Sequence, residues 1–193
     1  MAISNVGIND FENAIIVIEN IISQFSKSYV GYWLKGYIFH LQNNTKDVIT
    51  NYNIALSYTP ERSFERCLVL RSRSGFYLSE GNWNKVLSDA EDALECDAPD
   101  DFHNSIKINK SLALEKLGYK EEAKEIIEQI LPDIYLDYYL AAAFAFLKNK
   151  EKMLEELKKA ITRDSLVRLI AKVDSKFSGY RDDPDFKKII SEK

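Results

Sequence analysis

The residues of this chain best suited to chemistry are His40 and His103, Cys67 and Cys96, and several runs of like charge. His103 follows Asp100-Asp101, a neighbourhood in which carboxylates could orient an imidazole for acid–base work or share a metal with it. The plainer reading is that Asp100 or Asp101 caps the next helix and His103 lies in its exposed first turn. The two cysteines are far apart in sequence and belong to no CxxC pair, so they read as reduced thiols rather than a zinc or redox site. Asp97, Asp100 and Asp101, like Asp182, Asp183 and Asp185, lack the twelve-residue alternation and central glycine of a calcium loop. They suit helix starts, where the dipole favours negative charge. Lys148 to Lys152 and Lys158-Lys159 alternate with Glu151, Glu155 and Glu156 at helical spacing, which predicts exposed ion pairs rather than a nucleic-acid patch. No GxxxxGK[ST], GxGxxG or HExxH is present, and no Ser or Cys sits in a recognisable nucleophile setting. The expectation is a protein without catalytic group, metal or cofactor.

Those residues must be carried by helices. Across 193 residues there are only 7 glycines and 4 prolines, too few turn formers for an all-β fold. Hydrophobic residues make up 46% and charged residues 29%, which excludes disorder. The formal net charge of −4 removes the broad electrostatic reason to expect nucleic acid or an anionic membrane as partner. Met1-Ala2-Ile3-Ser4-Asn5 has no basic region, and the apolar run Ala14 to Ile18 stops at Glu19, far short of a bilayer span. A cytoplasmic location is expected.

A repeating pattern organises the helices. An apolar helix, a break with Gly or Asn, and a second helix ending in Ala-Leu or Ile-Leu recur with a proline nearby. The first unit carries Trp33, Gly36, Phe39, Asn43-Asn44, Val48, Tyr52, Ala55-Leu56 and Pro60. The second has Tyr77, Gly81-Asn82-Trp83, Val86, Ala90, Ala93-Leu94 and Pro99, and the third Leu117-Gly118-Tyr119, Ala123, Ile127, Ile130-Leu131 and Pro132. The steps from Ala55 to Ala93 to Ile130 are 38 and 37 residues. A fourth unit breaks at Leu147 to Lys150 and continues through Met153, Leu157 and Ala160-Ile161, while Phe11, Ala14, Ile18 and Ile21-Ile22 match only a second helix.

These units resemble the tetratricopeptide repeat (TPR) over roughly residues 9–163. The resemblance implies an all-α, right-handed superhelix of antiparallel helix pairs: a half repeat over 9–28, four pairs over 29–163 and a C-terminal cap over 164–193, in one domain. Gly36, Phe39, Ala55 and Pro60 fit its slots, as do Gly81-Asn82-Trp83 with Ala90 and Ala93-Leu94. Val48, Val86 and Met153 depart from its usual alanine, and Arg73 and Lys110 from its usual leucine. In the tail, Leu166, Leu169 and Ile170 form an apolar stripe, and Asp183-Pro184 opens a helix with Phe186, Ile189 and Ile190 on one side. The phrase from Phe177 to Phe186 is similar to a segment that closes many bacterial TPR arrays. It would cover the last repeat; a tethered linear ligand motif is the alternative.

The resemblance further implies that first helices line a concave groove. In that frame the groove holds Trp33, Tyr37 and His40, then Arg71 with Gly75 and Leu78, then Asn109 with Leu112 and Glu115, then Tyr135, Tyr138, Tyr139 and Phe146. Aromatic area with polar handles suits a peptide or helix ligand, though the same rings could pack against the chain's own termini. The chaperone-binding carboxylate clamp of some TPR proteins is excluded: Arg71 and Asn109 fit it, but Gly75, Tyr135 and Tyr139 stand where Asn, Lys and Arg are needed. The leading expectation is a non-enzymatic adaptor or scaffold binding another protein or peptide, with no nucleic-acid or membrane partner. The competing readings are a dedicated inhibitor or immunity-type protein that neutralises one enzyme or toxin, and an enzyme built around His40 or His103. A monomer is expected, or a weak homodimer through an N-terminal edge of Ile15, Ile18 and Ile22, unless Met1–Asn9 folds over it.

Overall fold

The structure is a computed structural model that describes residues 11–42 and 44–191. The Met1–Asn9 segment and Asn43 of the first break lie outside these residues. Every regular element among the described residues is a helix: α1 (Phe11–Gln24), α2 (Tyr29–Leu41), α3 (Thr45–Ser57), α4 (Phe64–Ser79), α5 (Trp83–Leu94), α6 (Asp100–Leu117), α7 (Lys120–Ile130), α8 (Asp137–Phe146), α9 (Lys150–Arg163), α10 (Val167–Val173) and α11 (Pro184–Ser191). Short 3₁₀ turns occupy Leu131–Asp133 and Ser175–Tyr180. None of the described helices is long and apolar enough to cross a membrane.

Local chemistry sets the ends of these helices. Ser63 Oγ accepts from the Arg66 amide and Asn149 Oδ1 from the Lys152 amide, which satisfies orphan donors at the starts of α4 and α9. Gly118 ends α6 at φ +97°, and the Tyr119 amide reaches back to the Leu114 carbonyl, so a residue with a Cβ would be strained there. Asp183 Oδ1 accepts from the Asp185 and Phe186 amides, and Pro184 begins α11 as the first helical residue. The start of α6 differs from the sequence reading. Pro99 is the capping residue, and Asp100 and Asp101 are already helical, sitting in the first turn where the helix dipole favours them.

Neighbouring helices pack in pairs, α2 on α3, α4 on α5, α6 on α7 and α8 on α9, and α5 also packs on α6. Small residues let them approach. A Cβ on Gly36 would stand 2.9 Å from the Tyr52 ring, which is itself fully buried. Ala55, Ala90, Ala93 and Ala123 are fully buried at similar crossings, and Val48, Val86 and Met153 are equally buried. Arg73 takes the place of a core leucine by forming bonds instead. Its Nε and Nη2 donate to both oxygens of Asp89 at 2.9 and 2.6 Å, and Nη1 donates to Asn53 Oδ1 at 2.6 Å. This fork joins α3, α4 and α5 and gives the buried Asp89 carboxylate the bidentate partner it requires.

The C-terminal segment does more than close the last pair. Phe177 and Phe186 are fully buried against Ala141, Met153 and Leu157, as an end cap would be. Leu169 and Val173, however, pack on Leu34, Ile38 and Leu41 of the first pair. The tail therefore runs across the face made by α2, α4, α6 and α8 and contacts both ends of the helix series. At the N-terminal edge, Ile18 is fully buried and Ile15 and Ile22 pack in the same cluster, so the apolar edge expected from those three isoleucines is covered by α2. Ile16 and Phe25 are the exposed apolar side chains of that region, at 58% and 61%.

Candidate functional site

Beneath the tail, the face of α2, α4, α6 and α8 encloses a cavity of about 440 Å³. Six of the residues singled out from sequence line it: Tyr37, His40, Arg71, Asn109, Tyr138 and Tyr139. Tyr37 and His40 are three residues apart and share one face of α2, while the others come from α4, α6 and α8. Ser72 and Gly75 of α4 lie beside Arg71, and the tail contributes Asp174 and Lys176.

Two of the predicted residues fall elsewhere. Trp33 does not line the cavity; its indole Nε1 donates to Ser72 Oγ at 2.9 Å, and its ring packs between the first two cores. Tyr135 is 75% exposed and borders a separate cleft with Asn104, Lys107 and Ile130. The reason is helix length. After the turn at Leu131–Asp133 the chain is extended through Ile134, which is buried, and α8 begins only at Asp137. The repeat frame carried the helix upstream of its true start, so Tyr135 points the other way.

The hydrogen bonds at the site decide what it can accept. Arg71 Nη1 donates to the Tyr139 hydroxyl at 2.7 Å, and its guanidinium lies 4.4 Å from the Phe102 ring centroid. Tyr138 donates to Asp174 Oδ2 at 2.6 Å and stacks edge-on against Phe177. Burial opposes the Asp174 charge, yet the adjacent Lys176 ammonium, the Tyr138 hydroxyl and the Lys176 amide hold its carboxyl below the usual range. Burial raises the Tyr37 and Tyr138 hydroxyls, with Asp174 adding to both, so each is a neutral phenol. Burial pushes His40 down to about 4, with Asp174 opposing and Lys176 assisting. The imidazole is therefore neutral, and it meets Phe76 edge-on with centroids 5.4 Å apart.

Asn109 is the most informative of the set. Its Nδ2 donates to Ser74 Oγ at 2.7 Å, while the Ser74 hydroxyl donates to the Arg71 carbonyl at 2.9 Å. Ser74 has spent its one proton, so it can only accept from Asn109, and this fixes the orientation of the amide. The other end, Oδ1, is buried without a donor among the described residues, in a residue only 2% exposed. An orphaned acceptor of this kind is unfavourable by about 1–3 kcal/mol until something donates to it.

Three cations line the cavity, Arg71, Arg163 and Lys176, against three carboxylates, Asp137, Asp164 and Asp174. Arg163 pairs with Asp137 at 2.9 Å and Lys176 with Asp174 at 3.2 Å, so these charges nearly cancel around a lining that is mostly apolar. Asp174 and Lys176 were missed in sequence because they belong to the tail, whose path depends on tertiary packing. Ser175–Tyr180 shows only a local signal, the Asp174 cap on the Lys176 amide at 2.9 Å.

His103 stands apart from this site. Its Nε2 lies 3.1 Å from the Cys96 carbonyl, an interaction that ties α6 to the preceding connection, and the side chain is half-buried rather than exposed. Cys67 and Cys96 are both buried free thiols, and burial pushes Cys67 up to about 11. Among the described residues, no group of three or more His, Cys, Asp or Glu converges as a metal site requires. Compared with known proteins, no family model and no curated protein matches this chain.

Proposed function

We propose that this chain is a non-enzymatic protein-interaction module of TPR-like architecture, a right-handed stack of helix pairs closed by its tail, acting in the cytoplasm. It binds a short polypeptide segment in the cavity lined by Tyr37, His40, Arg71, Asn109, Tyr138 and Tyr139. The observation that carries this reading is the convergence of these six side chains on one cavity, with Asn109 held in place by Ser74. Tyr37, whose hydroxyl makes no hydrogen bond among the described residues, adds a polar contact of its own. A single helical turn, about 10 Å across and 5.4 Å high, fills about 400 Å³. The cavity thus takes three or four residues, a chain end or a turn, and not a long helix.

Gly75 provides the test. It lies within α4, lines the cavity, and a Cβ placed there meets nothing within 4 Å. Gly75→Leu fills the space while raising helix propensity, so its melting temperature is expected to equal or exceed that of the wild type. Selection from a displayed peptide library should give sequences that bind the wild type and lose at least about tenfold in affinity for Gly75→Leu. Equal binding to both proteins, or no enrichment by the wild type, would sink the cavity assignment.

A further inference from the structure

The tail divides the face of α2, α4, α6 and α8 into two parts of different character. On the far side of Val173 and Lys176 from the cavity lies an open trough of about 1150 Å³. Its floor is apolar, with Leu78, Leu112, Phe146 and the half-buried Trp83. Its rim carries Lys116, Lys120, Lys148, Lys172, Lys176 and Arg181, opposed by only Glu80 and Glu115. Six cations against two carboxylates make the trough +4 in a chain whose formal charge is −4, so the rest of the chain carries −8.

The concentration of charge is matched by a shortage of partners. Lys116, Lys120, Lys148 and Lys172 are exposed, and among the described residues none has a carboxylate within ion-pair distance, although pairs of that kind occupy Lys124, Lys150 and Lys159 elsewhere. Arg181 donates to the Val173 carbonyl at 2.8 Å and has no carboxylate within ion-pair distance among the described residues. Lys176 alone is neutralised, by Asp174. Like charges lining one depression repel one another, an arrangement unfavourable to the isolated fold and favourable once an anion enters.

We infer that this trough is a second docking surface, and that its occupant is an acidic segment of a partner protein in which carboxylates alternate with apolar side chains. The rim supplies cations for the carboxylates, and the floor supplies contacts for the residues between them. Glu80 and Glu115 within the trough, and the net negative charge of the rest of the chain, oppose a uniform polyanion such as a nucleic acid, whose charge continues at every phosphate. The inference goes beyond the cavity reading and does not depend on it, because Gly75 does not line the trough.

The test uses the full chain and fluorescence anisotropy with a labelled peptide in which glutamate alternates with leucine and serine. A matched peptide with glutamine for glutamate, and a single-stranded oligonucleotide of similar length, serve as competitors. The glutamate peptide is expected to bind at low salt and to weaken as the Debye length shortens toward about 8 Å at physiological salt. Replacing Lys116, Lys120, Lys148 and Lys172 together by glutamine, all at exposed positions with the helical signal in circular dichroism as a check, should lower affinity at least about tenfold. Gly75→Leu should bind it as the wild type does. The inference is overturned if the quadruple variant binds equally, if the glutamine peptide binds as well, or if no binding is seen at low salt. It is overturned in favour of nucleic acid if the oligonucleotide is preferred. Sedimentation that shows self-association lost in the quadruple variant assigns the trough instead to a second copy of this chain.

Discussion

Protonation of His40 should open the fold, and the size of the effect follows from where the ring lies. The imidazole sits on α2 against Phe76 of α4, with Asp174 and Lys176 of the tail as its charged neighbours. Burial holds it near 4 in the folded state, against 6.5 in an unfolded chain. Because the folded value is the lower one, the neutral ring contributes its full stability above pH 6.5, and that contribution is lost as the pH falls toward 4. Between those limits the unfolded state takes up a proton that the folded state refuses, at about 1.4 kcal/mol per pH unit. At pH 4.5 the accumulated loss is about 2.5 kcal/mol, an upper bound because the ring keeps some contact with solvent. Asp174 also loses stabilisation in acid, but its folded value lies below the ordinary carboxylate range, so its effect falls at lower pH. Urea unfolding followed by the fluorescence of Trp33 and Trp83 gives the measurement, for wild type and His40→Gln at matched pH values from 7.5 to 4.5. Subtracting the variant cancels His103 and the surface carboxylates. The wild-type advantage should shrink by about 2 kcal/mol across that range. A difference that stays constant to within about 0.5 kcal/mol would mean that the ring accepts a proton freely in the folded state, and the burial argument would be refuted.

Two glycines, one on α2 and one on α4, should respond with opposite sign to one substitution. Gly36→Ala drives a Cβ to 2.9 Å from the fully buried Tyr52 ring and should destabilise by about 1–3 kcal/mol, whereas Gly75→Ala enters open space and should stabilise by about 0.5–1 kcal/mol. Urea midpoints measure both, and like signs would show that Tyr52 yields. Phe177→Ala removes a fully buried ring that contacts Tyr138 and Phe186, a change of about 3–5 kcal/mol concentrated in the tail. Trypsin should then cut at Lys172, Lys176 or Arg181 at least about tenfold faster while α2–α9 stay folded; an unchanged rate would mean that the tail is held by other contacts.

The helices and their pairing were legible because their signals are local. Gly81 and Gly118 stand at breaks with φ of +69° and +97°, and the buried alanines at Ala55, Ala93 and Ala123 mark the crossings. Asp183-Pro184 marked the start of α11 for the same reason. Most of the cavity was legible too, since residues a turn apart on a first helix share its inner side whatever the details of stacking. What escaped depends on distant parts of the chain. Arg73 looked like a fault in a leucine slot, and only the folded chain brings Asp89 and Asn53 within bonding distance of it. Tyr135 was misplaced because a helix start shifted by a few residues reverses the direction of a side chain. Leu169 and Val173 read as part of an end cap, and nothing in their spacing reveals that they reach the first helix pair.

The path of the tail also constrains how any ligand enters. If the segment from Val167 to Ser191 had to leave before a partner could bind, Phe177 and Phe186 would pass from full burial to water. At about 1.5–3 kcal/mol for each ring, that alone is about 3–6 kcal/mol, before the Tyr138–Asp174 bond and the contacts of Leu169 and Val173 are counted. Since about 1.4 kcal/mol is tenfold in an equilibrium constant, a displacing ligand would lose at least about a hundredfold in affinity to the tail. A ligand that enters beside the tail loses nothing of the kind. It meets Asn109 and Tyr37 on one side of Val173–Lys176, or the lysine rim on the other, with the tail as a wall in both cases. The tail is therefore better understood as part of each proposed binding surface than as a competitor for one, and variants that loosen it should weaken binding on both sides rather than expose a longer groove.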